Sequence, residues 1–92
     1  MAQISLNFTP EEEALINQEY QALVADYMAS PHRQKTEIIE QAFQLARRAH
    51  GLVRRRSGEP YILHPIAVAR IVCKEMGLGS TSICSALLHD VV

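Results

Sequence analysis

Two short runs hold the residues that could do chemistry. RRRSGEPYILHP spans Arg54 to Pro65, and LLHDVV closes the chain, so His64 stands 25 positions before His89, with Asp90 next to it. Two imidazoles and a carboxylate meeting at one point suit a divalent transition metal. Three protein ligands leave such an ion short, so protein, water or substrate must supply the rest. A buried histidine paired to an aspartate, with no metal, is the alternative. The basic turn carries Arg55, Arg56 and Ser57. Guanidinium planes pair with phosphate and stack on planar bases, and a serine hydroxyl both donates and accepts. An anion held beside a metal is the layout of phosphate-ester hydrolysis. A solvated basic loop is the alternative, and an RNA-contacting patch is weakly supported because only one exposed aromatic candidate accompanies the arginines.

The elements that must position these groups are read as helices. In TPEEEALINQEYQALVADYM, Thr9 is a candidate N-cap, Pro10 suits the first helical position and Glu12 completes a capping box. Leu15, Ile16, Tyr20, Leu23, Val24 and Tyr27 recur at helical spacing. Ser30 and Pro31 signal a second helix, with Ile38, Ile39, Ala42, Phe43, Ala46 and Ala49 as its stripe. Arg47, Arg48 and His50 load its last turn with positive partners for the carbonyl end, and Gly51 stops it. His32 is expected to face solvent. Residues 52 to 63 are expected to be a loop, with Gly58 and Pro60 blocking regular structure and Tyr61 packing it onto the helices.

A third helix begins at His64-Pro65, carries Ile66, Val68, Ala69, Ile71, Val72 and Met76, and stops at Gly77. Ser80 or Thr81 caps a fourth, which carries Ile83, Ala86, Leu87 and Leu88 on to His89-Asp90. The short turn between them makes these helices antiparallel neighbours. At 1.5 Å per residue they span roughly 17 and roughly 14 Å. The start of one and the end of the other then share one end of the bundle, which brings His64 to His89 and Asp90.

Composition agrees with one small helical domain. The formal net charge of −1 gives no global attraction to nucleic acid or membrane, but five of the nine basic residues fall between Arg47 and Arg56, so a local cationic site is expected. Cys73 and Cys84 sit in apolar helical patterns without C-x-x-C spacing, which fits reduced, buried thiols in the cytoplasm. No basic segment precedes an apolar run at the N-terminus, and no apolar stretch approaches eighteen residues, so neither a signal peptide nor a membrane span is expected.

From Ala42 to Val92, the combination R-x-S-G-E-P-Y-x-x-H-P followed by L-L-H-D-V-V resembles the N-terminal hydrolase region of the RelA/SpoT family, the bifunctional enzymes of the stringent response. The resemblance implies an all-α, HD-type helical bundle that removes the 3′-pyrophosphate from guanosine tetra- or pentaphosphate with Mn2+. It implies that His64, His89 and Asp90 are metal ligands and that Arg55 packs on the guanine base. Arg56 and Ser57 fall at neighbouring substrate-contacting positions, although lysine is more usual at the first of these. Glu59, Pro60 and Tyr61 resemble the scaffold of that loop.

The family's pattern continues past H-D-V-V into Glu-Asp carboxylates that serve the attacking water, and later to a further aspartate and an asparagine. These 92 residues hold none of them. The expectation is therefore a truncated N-terminal portion of a hydrolase domain, about four helices over residues 1–92 with residues 1–8 frayed. Its parent is a cytoplasmic synthetase/hydrolase or a stand-alone small alarmone hydrolase. The 92-residue stretch alone is expected to be inactive, with its metal site incomplete. Apolar faces of the third and fourth helices are expected to favour self-association, and a non-catalytic helical interaction module is the remaining alternative.

Overall fold

The capping box read at Thr9 closes as expected. The Glu12 amide donates to Thr9 Oγ1 at 3.1 Å, and the Thr9 amide donates to Glu12 Oε1 at 2.9 Å. With Pro10 at the first position and Glu11 to Glu13 at the positive end of the dipole, these bonds start helix α1, Pro10–Met28. The computed structural model describes residues 8–31, 35–89 and 91; His32 and Asp90 lie outside them. Three further helices follow: α2 (Thr36–His50), α3 (Leu63–Lys74) and α4 (Ser80–Leu88). The fold is all-α. Among the described residues, the one extended pairing outside helices is a single antiparallel bridge between Arg54 and Pro60.

Helix α3 packs against both α1 and α4, and α4 packs against α2. The core runs along these seams. Ile16 and Leu23 of α1, Ala46 of α2, Ile66 and Ala69 of α3, and Ile83 and Leu87 of α4 are fully buried. Each large aliphatic among them contributes about 1.5–3 kcal/mol of transfer free energy. Helix α1 also meets α2, where Tyr20 stacks on Phe43 with ring centres 4.0 Å apart and its hydroxyl donates to Glu40 Oε1 at 3.0 Å. Burial first, and then the Glu40 carboxylate, push the Tyr20 hydroxyl well above its usual range.

Several sequence expectations need correction. Helix α2 starts at Thr36, not at Ser30-Pro31. Ser30 instead serves the end of α1, where its amide and its hydroxyl both donate to the Tyr27 carbonyl, at 3.0 and 2.6 Å. Lys35, the actual N-cap, has no side-chain cap; its amide donates to the Tyr27 hydroxyl at 3.0 Å. Helix α4 is capped by the extended backbone of Gly79 rather than by a Ser80 or Thr81 side chain. Helix α3 ends at Lys74, before Met76 and Gly77. Phe8, expected to fray, is buried.

Leu15, Ile38, Ala49, Ile71 and Met76 were read into apolar stripes but are exposed. A helix in so small a bundle is covered along only part of its circumference, so the flank of a wide stripe stays open. The end of α2 is as expected: Gly51 adopts a left-handed φ of 54°, where its missing Cβ avoids strain, and its amide donates to the Arg47 carbonyl.

Candidate functional site

Gly51 turns the chain out of α2 into a short hairpin that leads to α3. The Tyr61 amide donates to the Val53 carbonyl and the Arg55 amide to the Glu59 carbonyl, both at 2.9 Å. The Gly58 amide closes a four-residue turn onto the Arg55 carbonyl at 2.8 Å. Gly58 sits at φ 103°, a conformation that an L side chain rarely adopts, so the type of residue after Ser57 is dictated by the turn. Arg56 and Ser57 occupy the tip. The return limb is anchored, because Pro60 and Ile62 are fully buried. The expected loop is thus an ordered hairpin with a buried heel and an exposed tip.

The tip holds the three expected anion-binding residues, all exposed. Arg55 Nε lies 3.9 Å from Glu59 Oε1, and Ser57 hydrogen-bonds the same carboxylate. The Ser57 contact and then its own backbone amide, with the Arg55 charge, hold Glu59 below the usual carboxylate range. Arg56 makes no ion pair with any described residue.

His64, in the first turn of α3, lies with its ring centre 5.9 Å from that of His89, the residue after α4. This contact joins the start of one helix to the end of the other, as the antiparallel hairpin requires. His89 Nδ1 sits 2.7 Å from the Ala86 carbonyl oxygen. A carbonyl only accepts, so Nδ1 carries a proton, and in the neutral ring the lone pair is on Nε2. Metal-bound histidines use this arrangement, with the second nitrogen donating to a fixed acceptor. Behind His64 the packing continues: Tyr61 lies 5.7 Å from it and 4.9 Å from His50, centre to centre. Tyr61 thus packs the hairpin onto two helices, as expected.

These residues fit a divalent transition metal in donor chemistry and in the tautomer of His89. Asp90, the third expected ligand, is outside the described residues, and among those described no three His, Cys, Asp or Glu side chains converge. A shallow groove lined by Ile38, Thr81, Cys84, Ser85 and Leu88 reaches His89.

Residues 42–92 match the HD domain family. The chain belongs to that family. A probable GTP pyrophosphokinase of Mycobacterium leprae is 38% identical over 81 residues, covering 88% of this chain and 10% of that protein. A guanosine-3′,5′-bis(diphosphate) 3′-pyrophosphohydrolase of Vibrio cholerae is 46% identical over 67 residues, 73% of this chain and 9% of that protein. A bifunctional (p)ppGpp synthase/hydrolase RelA of Mycobacterium tuberculosis is 36% identical over 81 residues, 88% of this chain and 11% of that protein. These relatives bear out the RelA/SpoT resemblance, and this HD-domain chain spans about a tenth of their length. No solved structure matches the chain.

Sequence reasoning missed contacts made by two residues of this HD-domain site. Arg54 does not share the tip with Arg55 and Arg56; its guanidinium turns back to Glu12 in α1. His50 stands in the last turn of α2 as read, and its ring also packs on Tyr61. Arg47, read the same way, pairs with Glu13 at 3.1 Å. The signal for the ion pairs was present, since an acidic first helix and a basic segment near residue 50 invite pairing. The partners are more than 30 residues apart, so no local spacing rule reports them.

Proposed function

We propose that this chain forms the metal-proximal and base-proximal wall of a guanosine tetra- or pentaphosphate 3′-pyrophosphohydrolase, in a cytoplasmic protein that also makes the nucleotide from GTP and ATP. The observation that carries the reading is the joint geometry of two groups: an ordered arginine-serine turn and a His64–His89 pair 5.9 Å apart, joined by a hairpin of a few residues. His64, His89 and Asp90 would hold Mn2+. When bound, that ion supplies positive charge and an acidified water beside the phosphate. Arg55 stacks on the guanine, while Arg56 and Ser57 meet the phosphate oxygens with charge-assisted and neutral hydrogen bonds. The Glu59 carboxylate, now shared by Arg55 and Ser57, yields those donors to the incoming anion.

In this reading the 92-residue stretch binds the nucleotide without turning it over. Unpaired Cys73 and Cys84 support a reducing compartment. Among the described residues no helix is long and apolar enough to cross a membrane.

Calorimetry of the chain with guanosine tetraphosphate, with and without Mn2+, tests the reading. Binding that strengthens with Mn2+ and is lost in R55A, with no pyrophosphate released, is expected. Failure to bind the nucleotide, or turnover by the pure chain, contradicts it.

A second reading, self-association, is favoured by one observation. Besides exposed Ile71 on α3, the described residues form an apolar groove between α2 and α4, lined by Ile38, Gln41, Ala42, Leu45, Cys84 and Leu88.

A further inference from the structure

The guanidinium of Arg54 is held from three sides. Both terminal nitrogens donate to the Glu12 carboxylate, with Nη2 to Oε1 at 2.7 Å. Nη1 also donates to the Gly58 carbonyl at 2.8 Å, on the far side of the turn from Arg54 itself. The cation lies 5.1 Å from the centre of the Phe8 ring. Glu12 is not free to swing, because its Oε1 also accepts the Thr9 amide at 2.9 Å. One carboxylate therefore closes the start of α1 and grips the base of the arginine turn, 42 residues away.

We propose that Glu12 and Arg54 form a clamp that fixes the Arg55–Ser57 turn to the capped start of α1, making Arg54 a positioning residue for anion binding by that turn. The inference rests on the nucleotide reading of the turn. Exposed ion pairs are usually worth little, but a bidentate pair that also bonds the turn's own backbone restrains a loop rather than merely adding a contact. A turn ordered before its ligand arrives spares the ordering cost on binding. The clamp also neutralises Arg54 and aims it away, so an arriving phosphate meets Arg55 and Arg56 instead.

Two substitutions separate the clamp from the cap. Glu12→Gln removes the charge pair while a glutamine can still close the capping box. Arg54→Gln removes the other half. Arg70→Gln, which breaks the α3–α1 pairs to Glu19 and Asp26, is the control for a general loss of stability. Backbone hydrogen exchange at Arg55 and Gly58, and calorimetric affinity for guanosine tetraphosphate, are read on the 92-residue chain. Faster exchange at both amides is expected in E12Q and R54Q. Affinity is expected to fall about fivefold in each, with no further loss in the double variant, and to be unchanged in R70Q. Unchanged exchange, wild-type affinity in E12Q and R54Q, or an equal loss in R70Q overturns the clamp. If the wild-type chain itself binds no guanosine tetraphosphate, the nucleotide reading falls and the positioning role with it, while the exchange rates still report whether the clamp orders the turn.

Discussion

The imidazoles of His64 and His89 lie 5.9 Å apart, centre to centre, across 25 residues of sequence. The intervening chain is one antiparallel pair of helices, so the distance is set by how α3 and α4 pack. Their shared core therefore controls the geometry of the pair. Leu87, two residues before His89, is fully buried in that core.

Leu87→Ala is expected to destabilise the fold by about 2–5 kcal/mol, the range for an aliphatic side chain deleted from a core. In a domain of this size that is a large share of the total. Urea denaturation followed by circular dichroism checks it. A shift in midpoint corresponding to less than about 1 kcal/mol would show that α4 is held by something other than this seam.

Glu12 gives a pH dependence with a definite sign. The Arg54 hydrogen bonds, and then the Thr9 amide, lower its pKa from 4.5 to about 2. A carboxylate depressed on folding adds stability above its unfolded pKa and loses it as pH falls through the folded one. The wild-type advantage over E12Q should thus be constant at neutral pH, shrink below 4.5 and vanish near 2. Thermal melts of both chains across that window test this. An advantage that grows on acidification would be incompatible with the pairing.

Tyr61 connects the hairpin to two histidines, 4.9 Å from His50 and 5.7 Å from His64. Tyr61→Ala should cost about 1–3 kcal/mol for a partly buried aromatic and should broaden the range of His64 ring orientations. The His64 ring signals in NMR are the readout; Y61F, which keeps the ring, should change them less. Identical His64 signals in Y61A would mean that the ring does not hold the histidine.

Burial pushes both thiols up, with the Asp26 charge adding to it at Cys73, so both stay protonated and inert near neutral pH. Cys84 lines the apolar groove with Ile38 and Leu45. If the groove is where two copies meet, Leu45→Glu should convert a dimer into a monomer in light scattering, with little loss of helicity. A wild-type chain that is monomeric at all accessible concentrations contradicts self-association.

The sequence was informative wherever the determinant was local. The Thr9–Glu12 box, the Gly51 stop and the meeting of His64 with His89 follow from spacing and helix geometry alone. It was misleading where two local rules competed. Ser30-Pro31 looks like a helix start, but the serine is taken by the Tyr27 carbonyl, and a tyrosine hydroxyl serves α2 instead. Contacts over more than 30 residues, such as Arg54 to Glu12 and Arg47 to Glu13, depend on how helices pack. Periodicity also marks wider stripes than the bundle buries, which is why Ile38 and Ile71 face solvent.

The proposed function makes the two histidines metal ligands beside the arginine turn. Titrating the chain with Mn2+ and following the histidine ring signals by NMR tests it most directly, because the paramagnetic ion broadens nuclei near where it binds. His64 and His89 are expected to broaden first and together, and His89→Ala is expected to abolish the effect at His64. Broadening that begins at Glu11 to Glu13 and leaves both rings sharp would contradict it.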